Sequence, residues 1–308
     1  IRELADLMQI PVITTMMGIS VFPDDDQLFC GMIGTHGVKM ANAAVNECDV
    51  LFLVGARVGD RAVKTPLALE KTTKIIHIDI DPAEIGKNIG ADLPLVGDAK
   101  LVLQQMTELA KPMKHDEWIA HIKTLGGERK YVEPAKGTVN PRVFIDRLAK
   151  KMPANVTVVA DVGQNQIWTC TEYKFRKEGR LLTSGGMGTM GYSVPAAIGA
   201  KMADNSRATV AICGDGAFQM SFMELATAVQ FGVDIKVVVM TNNRLGMVRE
   251  LQTNGYHDRQ TAVFLDGSPD FIKLAEAYGI PAMRVYDDDT MDTVSYTHLR
   301  AHETLRHL

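Results

Sequence analysis

Two short runs carry the residue types best suited to chemistry. Gly214-Asp215-Gly216 follows the apolar run ATVAIC (208–213), and Asn242-Asn243 follows IKVVVM (235–240). Asp215 and Asn242 lie 242 − 215 = 27 positions apart. A parallel crossover needs about a dozen residues or more, usually a helix, to return to the same sheet edge. Residues 217–234 can supply that helix and 235–240 the returning strand, so both side chains can arrive at neighbouring strand ends. A carboxylate and an amide oxygen are hard ligands suited to Mg2+, which takes few protein groups and completes its octahedron with phosphate oxygens and water. The glycines let the backbone approach a phosphate, and the following helix points its N–H groups at the anion. Together they describe a Mg2+–diphosphate clamp. A lone GDG is a common turn and NN a common loop pair; the crossover spacing is what makes the combination specific. The chain has neither a GxxxxGK[ST] loop nor a GxGxxG after a strand, so neither a P-loop nor a standard dinucleotide fingerprint is present.

The elements that must position such a clamp are readable as well. Val- and Ile-rich runs at 11–15, 50–55 and 74–80, and again at 156–161, 208–213 and 235–240, alternate with helical stretches such as 37–48 and 221–231. Continuous apolar strands alternating with helices predict parallel sheets covered on both faces. The fold class is α/β, with two doubly wound parallel-sheet domains over 1–112 and 141–294 joined by a polar linker at 113–140. Ligands of such sheets sit beyond the carboxyl ends of the strands. Asp161-Val-Gly, Gly214-Asp215-Gly216 and Thr241-Asn242-Asn243 all stand there, each offering small or metal-binding residues.

Composition narrows the partners. At 308 residues, 46% apolar and 23% charged, the chain has the make-up of a globular protein with two cores. A net charge of −4 gives no basic footprint for nucleic acid. Apolar runs such as Ile235–Met240 are far too short to span a bilayer. Cys30, Cys48, Cys170 and Cys213 are scattered without metal-ligand spacing, which suits buried thiols in a reducing cytoplasm. The chain opens in mid-helix pattern at Ile1, which predicts a truncated start. Residues 295–308 (SYTHLRAHETLRHL) lose all patterning and are expected to be a foreign extension.

GDGAFQMSFMELATAVQFG and TNNRLGMV resemble the cofactor motif of the thiamine diphosphate (ThDP) enzymes, in the acetohydroxyacid synthase branch. TSGGMGTMGYSVPAAIGAKMA and DVGQNQIW are similar to the same branch, and MGISVFP, GTHG, LVGAR and HIDIDPAEIGKN to its central, FAD-binding domain; the likeness runs over about 1–290. It implies a central FAD-type domain followed by a ThDP diphosphate-binding domain. The implied metal ligands are Asp215 and Asn242 through side chains and Arg244 through its carbonyl. Gln164, Asn165, Gly216 and Ala217 would line the diphosphate, flanked by Asn243, Leu245, Gly246 and Met247. Gly188, Thr189 and Met190 would hold the aminopyrimidine, with Met190 as the wedge that bends the cofactor and Met247 over the reacting centre. Met220, by contrast, is expected to be core filler. FAD contacts are implied at Thr15, Met16, Ile33, Gly34, Thr35, His36, Gly55, Ala56, Arg57, Asp79, Ile80, Asp98 and Ala99, joined by Gly185 and Gly186. The flavin would be structural.

The resemblance further implies decarboxylation of pyruvate and its joining to a second 2-keto acid, in branched-chain amino acid synthesis. It implies a homodimer or homotetramer and a small regulatory subunit. The glutamate that activates the cofactor lies in this family on a separate N-terminal domain, so no catalytic acid is expected here and the chain by itself is expected to be inactive. Asn165 replaces the usual His; it can still donate to phosphate. Val58-Gly59 removes a carboxylate of the family's GARFDDR, which weakens the flavin expectation, and Leu251 stands where many relatives carry the Trp that favours 2-ketobutyrate. Sister activities on the same scaffold (pyruvate oxidase, glyoxylate carboligase, simple decarboxylase) stay open, as does a non-catalytic cofactor-binding remnant.

Overall fold

In the computed structural model the described residues are 1–127, 130–287 and 289–291. The chain divides into two compact units, Ile1–Arg129 and Lys130–Leu308. The expectation for residues 295–308 falls outside the described residues.

The first unit holds five strands: β1 Val12–Thr14, β2 Phe29–Met32, β3 Val50–Val54, β4 Lys74–Asp79 and β5 Leu93–Val96. β1 pairs with β2, and β3, β4 and β5 form a second sheet in that order, every pair parallel. The sheet is apolar on both sides, as a parallel sheet between helices must be. Ile75 of β4 faces a cluster with Val45, Leu53, Leu69 and Ile89, while Ile78, on the other side, packs with Leu4 and Leu103. Pro94 is accommodated because β5 lies at the edge of its sheet, where one face of the ladder needs no N–H. The stretch expected as a linker contains a helix, Asp116–Leu125. Its Ile122 is 2% exposed and packs with Cys30 and Ala44, so this part of the segment belongs to the first unit's core.

The second unit holds β6 Thr157–Ala160, β7 Arg180–Thr183, β8 Thr209–Gly214 and β9 Lys236–Met240. The sheet order is β7-β6-β8-β9, again wholly parallel. β6 and β8 are central and their side chains are almost completely buried. The crossover from β8 to β9 differs from the single helix predicted. It is a short helix Asp215–Phe218, a 3-10 turn Phe222–Glu224 and a helix Leu225–Gln230. The break falls at Met220-Ser221, where Gly191 packs so closely on Met220 that a Cβ at Gly191 would come within 3.1 Å of it. Met220 itself is 59% exposed, so it is surface and not the core filler expected.

Candidate active site at the strand ends

Each strand of the second unit delivers a polar group at its carboxyl end. β6 runs into Asp161, β7 into Ser184, β8 into Asp215 and β9 into Thr241-Asn242. β6 and β8 are hydrogen-bonded neighbours, with Asp161 N–H donating to the Ile212 carbonyl at 2.8 Å. The two carboxylates therefore stand at the ends of neighbouring strands, at 0% and 1% exposure. Neither makes an ion pair among the described residues. Burying an anion without a counter-charge is costly, so each must be stabilised by N–H donors or by a cation.

Backbone N–H groups supply this for Asp215. Asp215 Oδ1 accepts the Gly216 N–H at 2.8 Å, and Oδ2 accepts those of Asn242 at 3.0 Å and Asn243 at 2.6 Å. The end of β9 thus wraps around the Asp215 carboxylate, which brings together two residues 27 apart in sequence. Asn243 adopts φ +53, a left-handed conformation that Asn tolerates better than most residues. Asn242 Oδ1 accepts the Arg244 N–H at 3.0 Å, which closes the loop and leaves the oxygen a second lone pair.

Asp161 does different work. Its Oδ1 accepts the N–H of Val162 at 2.8 Å and of Gly191 at 3.0 Å, and Oδ2 that of Ser193 at 2.8 Å. It ties the end of β6 to the loop that follows Met190. The general expectation of small or metal-binding residues at this end is refined: Asp161 is a buried strut. The same loop is tightened from the other side, since Ser184 accepts the Gly188 N–H through its carbonyl and the Thr189 N–H through Oγ. Gly188 has φ +67, suited to glycine in this turn.

Cys213, between the carboxylates in sequence and fully buried, reports their field. Burial pushes its thiol well above the ordinary range, and Asp161 and Asp215 push it further in the same direction. Burial alone raises Cys30 to about 11 and Cys170 to about 12, the former against a small opposing pull from Lys123. These thiols are packing groups and not nucleophiles.

Several expected residues converge on the clamp. A Cβ at Gly216 would fall 2.8 Å from Leu245, 3.1 Å from Leu265 and 3.7 Å from the Met190 methyl. A larger residue at 216 would push these side chains back, and Met190 reaches the clamp. Gln164 begins the helix Gln164–Glu172, and its carboxamide lies over Gly246, the first residue of the helix Gly246–Gly255, where any Cβ would run into it. Ala217 is 1% exposed, so only its backbone can meet a ligand. Met247 lies in the first turn of the helix after Gly246, half-buried, and Leu251 on the same helix is 61% exposed.

One expectation fails on geometry. Asn165 does not offer its amide to a phosphate: Nδ2 donates to the carbonyls of Asp161 at 2.8 Å and Ile212 at 3.0 Å, and the residue is 3% exposed. Both amide hydrogens are spent joining the ends of β6 and β8, the Ile212 carbonyl accepting from Asn165 in addition to the Asp161 N–H. Three contributors were not foreseen. Asp161 was visible as a strand-end acid, but its partners lie 30 and 32 positions away. Glu250, which accepts from Gln164 Nε2 at 2.9 Å, and Leu265 left no local signal at all.

In the first unit the expected flavin residues also follow strand ends. Thr15-Met16 follow β1, Ile33 to His36 follow β2, Gly55-Ala56-Arg57 follow β3, Ile80 follows Asp79 of β4, and Asp98-Ala99 follow β5 after one residue. Gly34 has φ +116, and a Cβ there would collide with the Arg61 carbonyl; Asn42 clamps Gly34 through both N–H and carbonyl, at 2.9 and 3.0 Å. Asp79 Oδ1 accepts the Asp81 N–H and Asp98 Oδ1 the Leu101 N–H, so both acids also cap local backbone. Val58 sits at φ +48, a conformation a β-branched residue adopts only under constraint, and its side chain is 6% exposed within the core cluster around Ile75. Gly185 and Gly186 lie after β7 in the second unit.

Among the described residues no helix is long and apolar enough to cross a membrane, and no three His, Cys, Asp or Glu gather as a metal site.

Comparison with known proteins places this geometry. Residues 161–303 match the thiamine pyrophosphate enzyme C-terminal TPP binding domain, and residues 1–106 the central domain of the same enzymes. The chain is 42% identical over 298 residues to the probable acetolactate synthase large subunit of Methanocaldococcus jannaschii, covering 93% of this chain and 50% of that protein. It is 37% identical over 292 residues to the acetolactate synthase large subunit of Lactococcus lactis, covering 94% and 51%, and 39% identical over 311 residues to an acetolactate synthase of Mycobacterium avium, covering 96% and 50%. The chain spans about half the length of the curated relatives it matches. It belongs to the thiamine pyrophosphate enzymes, of which it carries the central domain and the C-terminal TPP-binding domain.

Proposed function

We propose that this chain is the cofactor-binding half of an acetolactate synthase catalytic subunit, acting on pyruvate and a second 2-keto acid. The observation that carries the reading is Asp215: a carboxylate 1% exposed, unpaired by any cation among the described residues, wrapped by the Asn242-Asn243 loop, and next to a glycine reached by Met190. The fit to Mg2+ and a diphosphate rests on the donor set gathered there: the Asp215 carboxylate, held by three N–H groups, with the Asn242 amide oxygen on the loop that wraps it and the glycine backbone of Gly216 beside it. Asp215, Asn242 and the Arg244 carbonyl would hold Mg2+. The backbone of Gly216 and Ala217, with Gln164, Asn243, Leu245 and Gly246, would meet the diphosphate, Asn165 serving as a strut behind them. Gly188, Thr189 and Met190 would seat the aminopyrimidine, with Met247 toward the reacting carbon. When bound, ThDP supplies the electron sink for decarboxylating a 2-keto acid. What this chain adds is orientation: Asp161 fixes the Gly191–Ser193 turn beside Met190, and Met190 would be the side chain against which the cofactor is seated.

FAD is the second part of the proposal, at Thr15, Met16, Ile33 to His36, Gly55 to Arg57, Asp79, Ile80, Asp98 and Ala99 of the first unit. It is supported by the placement of the first unit's residues after five parallel strands. A small regulatory subunit, a homodimer or homotetramer and a cytoplasmic setting complete the reading.

The test is a product assay. The complete reading frame containing this chain, given pyruvate, ThDP, Mg2+ and FAD, is expected to form 2-acetolactate, or 2-aceto-2-hydroxybutyrate when 2-ketobutyrate is added. The Asp215→Ala variant is expected to form neither. Acetyl phosphate, tartronate semialdehyde or free aldehyde would assign a sister activity.

A further inference from the structure

Gln164 and Glu250 are 86 positions apart and meet at the proposed diphosphate end of the site. Gln164 follows β6 and opens the helix Gln164–Glu172; Glu250 lies on the first turns of the helix Gly246–Gly255. The Gln164 carboxamide lies across Gly246, so close that a Cβ there would force it to move, and the Asn242 amide nitrogen would be 3.0 Å from a Cβ at the same place. The clamp loop and the Gln164 side chain therefore share one patch of backbone. From there Gln164 Nε2 donates to Glu250 Oε2 at 2.9 Å. Glu250 makes no ion pair among the described residues, so Gln164 is what this carboxylate is held by.

We propose that Glu250 is a positioning residue that competes with the diphosphate for the Gln164 amide and so sets how tightly the cofactor is held; this rests on the ThDP reading above. A carboxylate oxygen and a phosphate oxygen are both anionic acceptors. They cannot both crowd the Nε2 end of one carboxamide without repelling each other. Glu250 takes one of the two Nε2 hydrogens, so a diphosphate that takes the other meets the carboxylate's charge at the same nitrogen, and only the fraction of molecules with Glu250 swung away binds at full strength. Glu250 is exposed, so it can swing into solvent and the competition is mild. Its side chain also keeps Gln164 in one place until the ligand arrives.

Calorimetric titration of the 308-residue chain with Mg2+–inorganic diphosphate, and separately with Mg2+–ThDP, tests this. Glu250→Ala is expected to bind both roughly 3- to 10-fold more tightly than the unmodified chain, and Glu250→Gln, which keeps a neutral acceptor, to fall between. Gln164→Ala is expected to weaken binding and to erase the gain from Glu250→Ala in the double variant. Circular dichroism confirms that each variant folds. Unchanged or weaker binding by Glu250→Ala would overturn the competition, as would a gain that survives in the Gln164→Ala background, since that is a field effect without the shared amide. If the unmodified chain binds neither probe, the ThDP reading itself fails and takes the competition with it.

Discussion

The two units use the same device, a parallel sheet with chemistry beyond its strand ends, but finish it differently. In the second unit the ends of β6 and β8 carry two buried acids, Asp161 and Asp215, with Asn165 stitching the strands between them. In the first unit the corresponding groups are mostly a rim: Thr35, His36, Gly55 and Arg57 are exposed, Ile80 is 71% exposed, Asp98 caps its own turn, and the one buried acid, Asp79 at 9% exposure, accepts the N–H of Asp81 two residues on. A buried acid with no cation beside it is informative because the fold must have a reason to tolerate it. An exposed rim of glycine and backbone fits a long, flat ligand but fits water equally well. The difference teaches which half of the cofactor reading is carried by geometry (Mg2+–ThDP) and which by placement and family likeness (FAD).

The largest expected effect would break that asymmetry if it failed. Asp215→Ala removes the charge that calls for the cation, and Mg2+-dependent ThDP binding is expected to fall by more than about 100-fold, the scale of losing a metal's main ligand interaction. Ile80→Ala in the first unit is expected to leave ThDP binding within about two-fold, because it lies on the other unit's rim; its effect, if any, should show in flavin retention read by absorbance. Equal losses of ThDP from both variants would mean that Asp215 acts through the fold and not through the ligand.

The next contrast is conformational. Gly34→Ala places a Cβ against the Arg61 carbonyl at a left-handed φ, and is expected to destabilise the first unit by more than about 1 kcal/mol. Gly186→Ala, with open space around it, should change stability by less than about 0.5 kcal/mol. Urea titration followed by hydrogen exchange in peptides from each unit separates the two. Protection lost in the second unit's peptides on Gly34→Ala would show that the units do not unfold separately.

How much of this was legible in the sequence follows from where each signal resides. Six strands announced themselves as continuous Val/Ile runs, and the clamp was legible because a 27-residue crossover is itself a sequence spacing. Three strands were not. β2 is broken by Gly31, β5 contains Pro94, and β7 starts on Arg180, so none of them forms an uninterrupted apolar run. Each has one or more hydrogen-bonded partners that override its weak local preference. The helix Asp116–Leu125 was masked by its charged residues, although Ile119 and Ile122 face the core. The roles of Asn165 and Glu250 were illegible for a different reason. Whether an amide points at a ligand or at two backbone carbonyls is decided by tertiary geometry, and a pair 86 residues apart leaves no local trace.

The smallest expected effect concerns the thiols, and it sharpens the claim that the second unit's strand ends are electrostatically special. Cys30 and Cys213 are both buried, at 5% and 0% exposure, but only Cys213 has two carboxylates raising its pKa further. A group whose pKa is raised on folding stabilises the fold fully below its unfolded pKa, and that stability is lost as pH rises through the folded value. For Cys30 the window is from its ordinary value of 9.0 to about 11. Stability is therefore expected to decline across that window, and Cys30→Ala should flatten the decline by removing the titrating thiol. With Cys213 the thiol stays neutral throughout the same window, so Cys213→Ala should flatten the decline as well, because what titrates there is the unfolded thiol. The two variants part at the site. Relieving Cys213 touches the strand carrying Asp215, so Mg2+ should bind slightly more weakly in Cys213→Ala and unchanged in Cys30→Ala. Equal Mg2+ affinities in both variants, measured by calorimetry with ThDP present, would show that the carboxylates' field on Cys213 has no counterpart in the packing that holds Asp215.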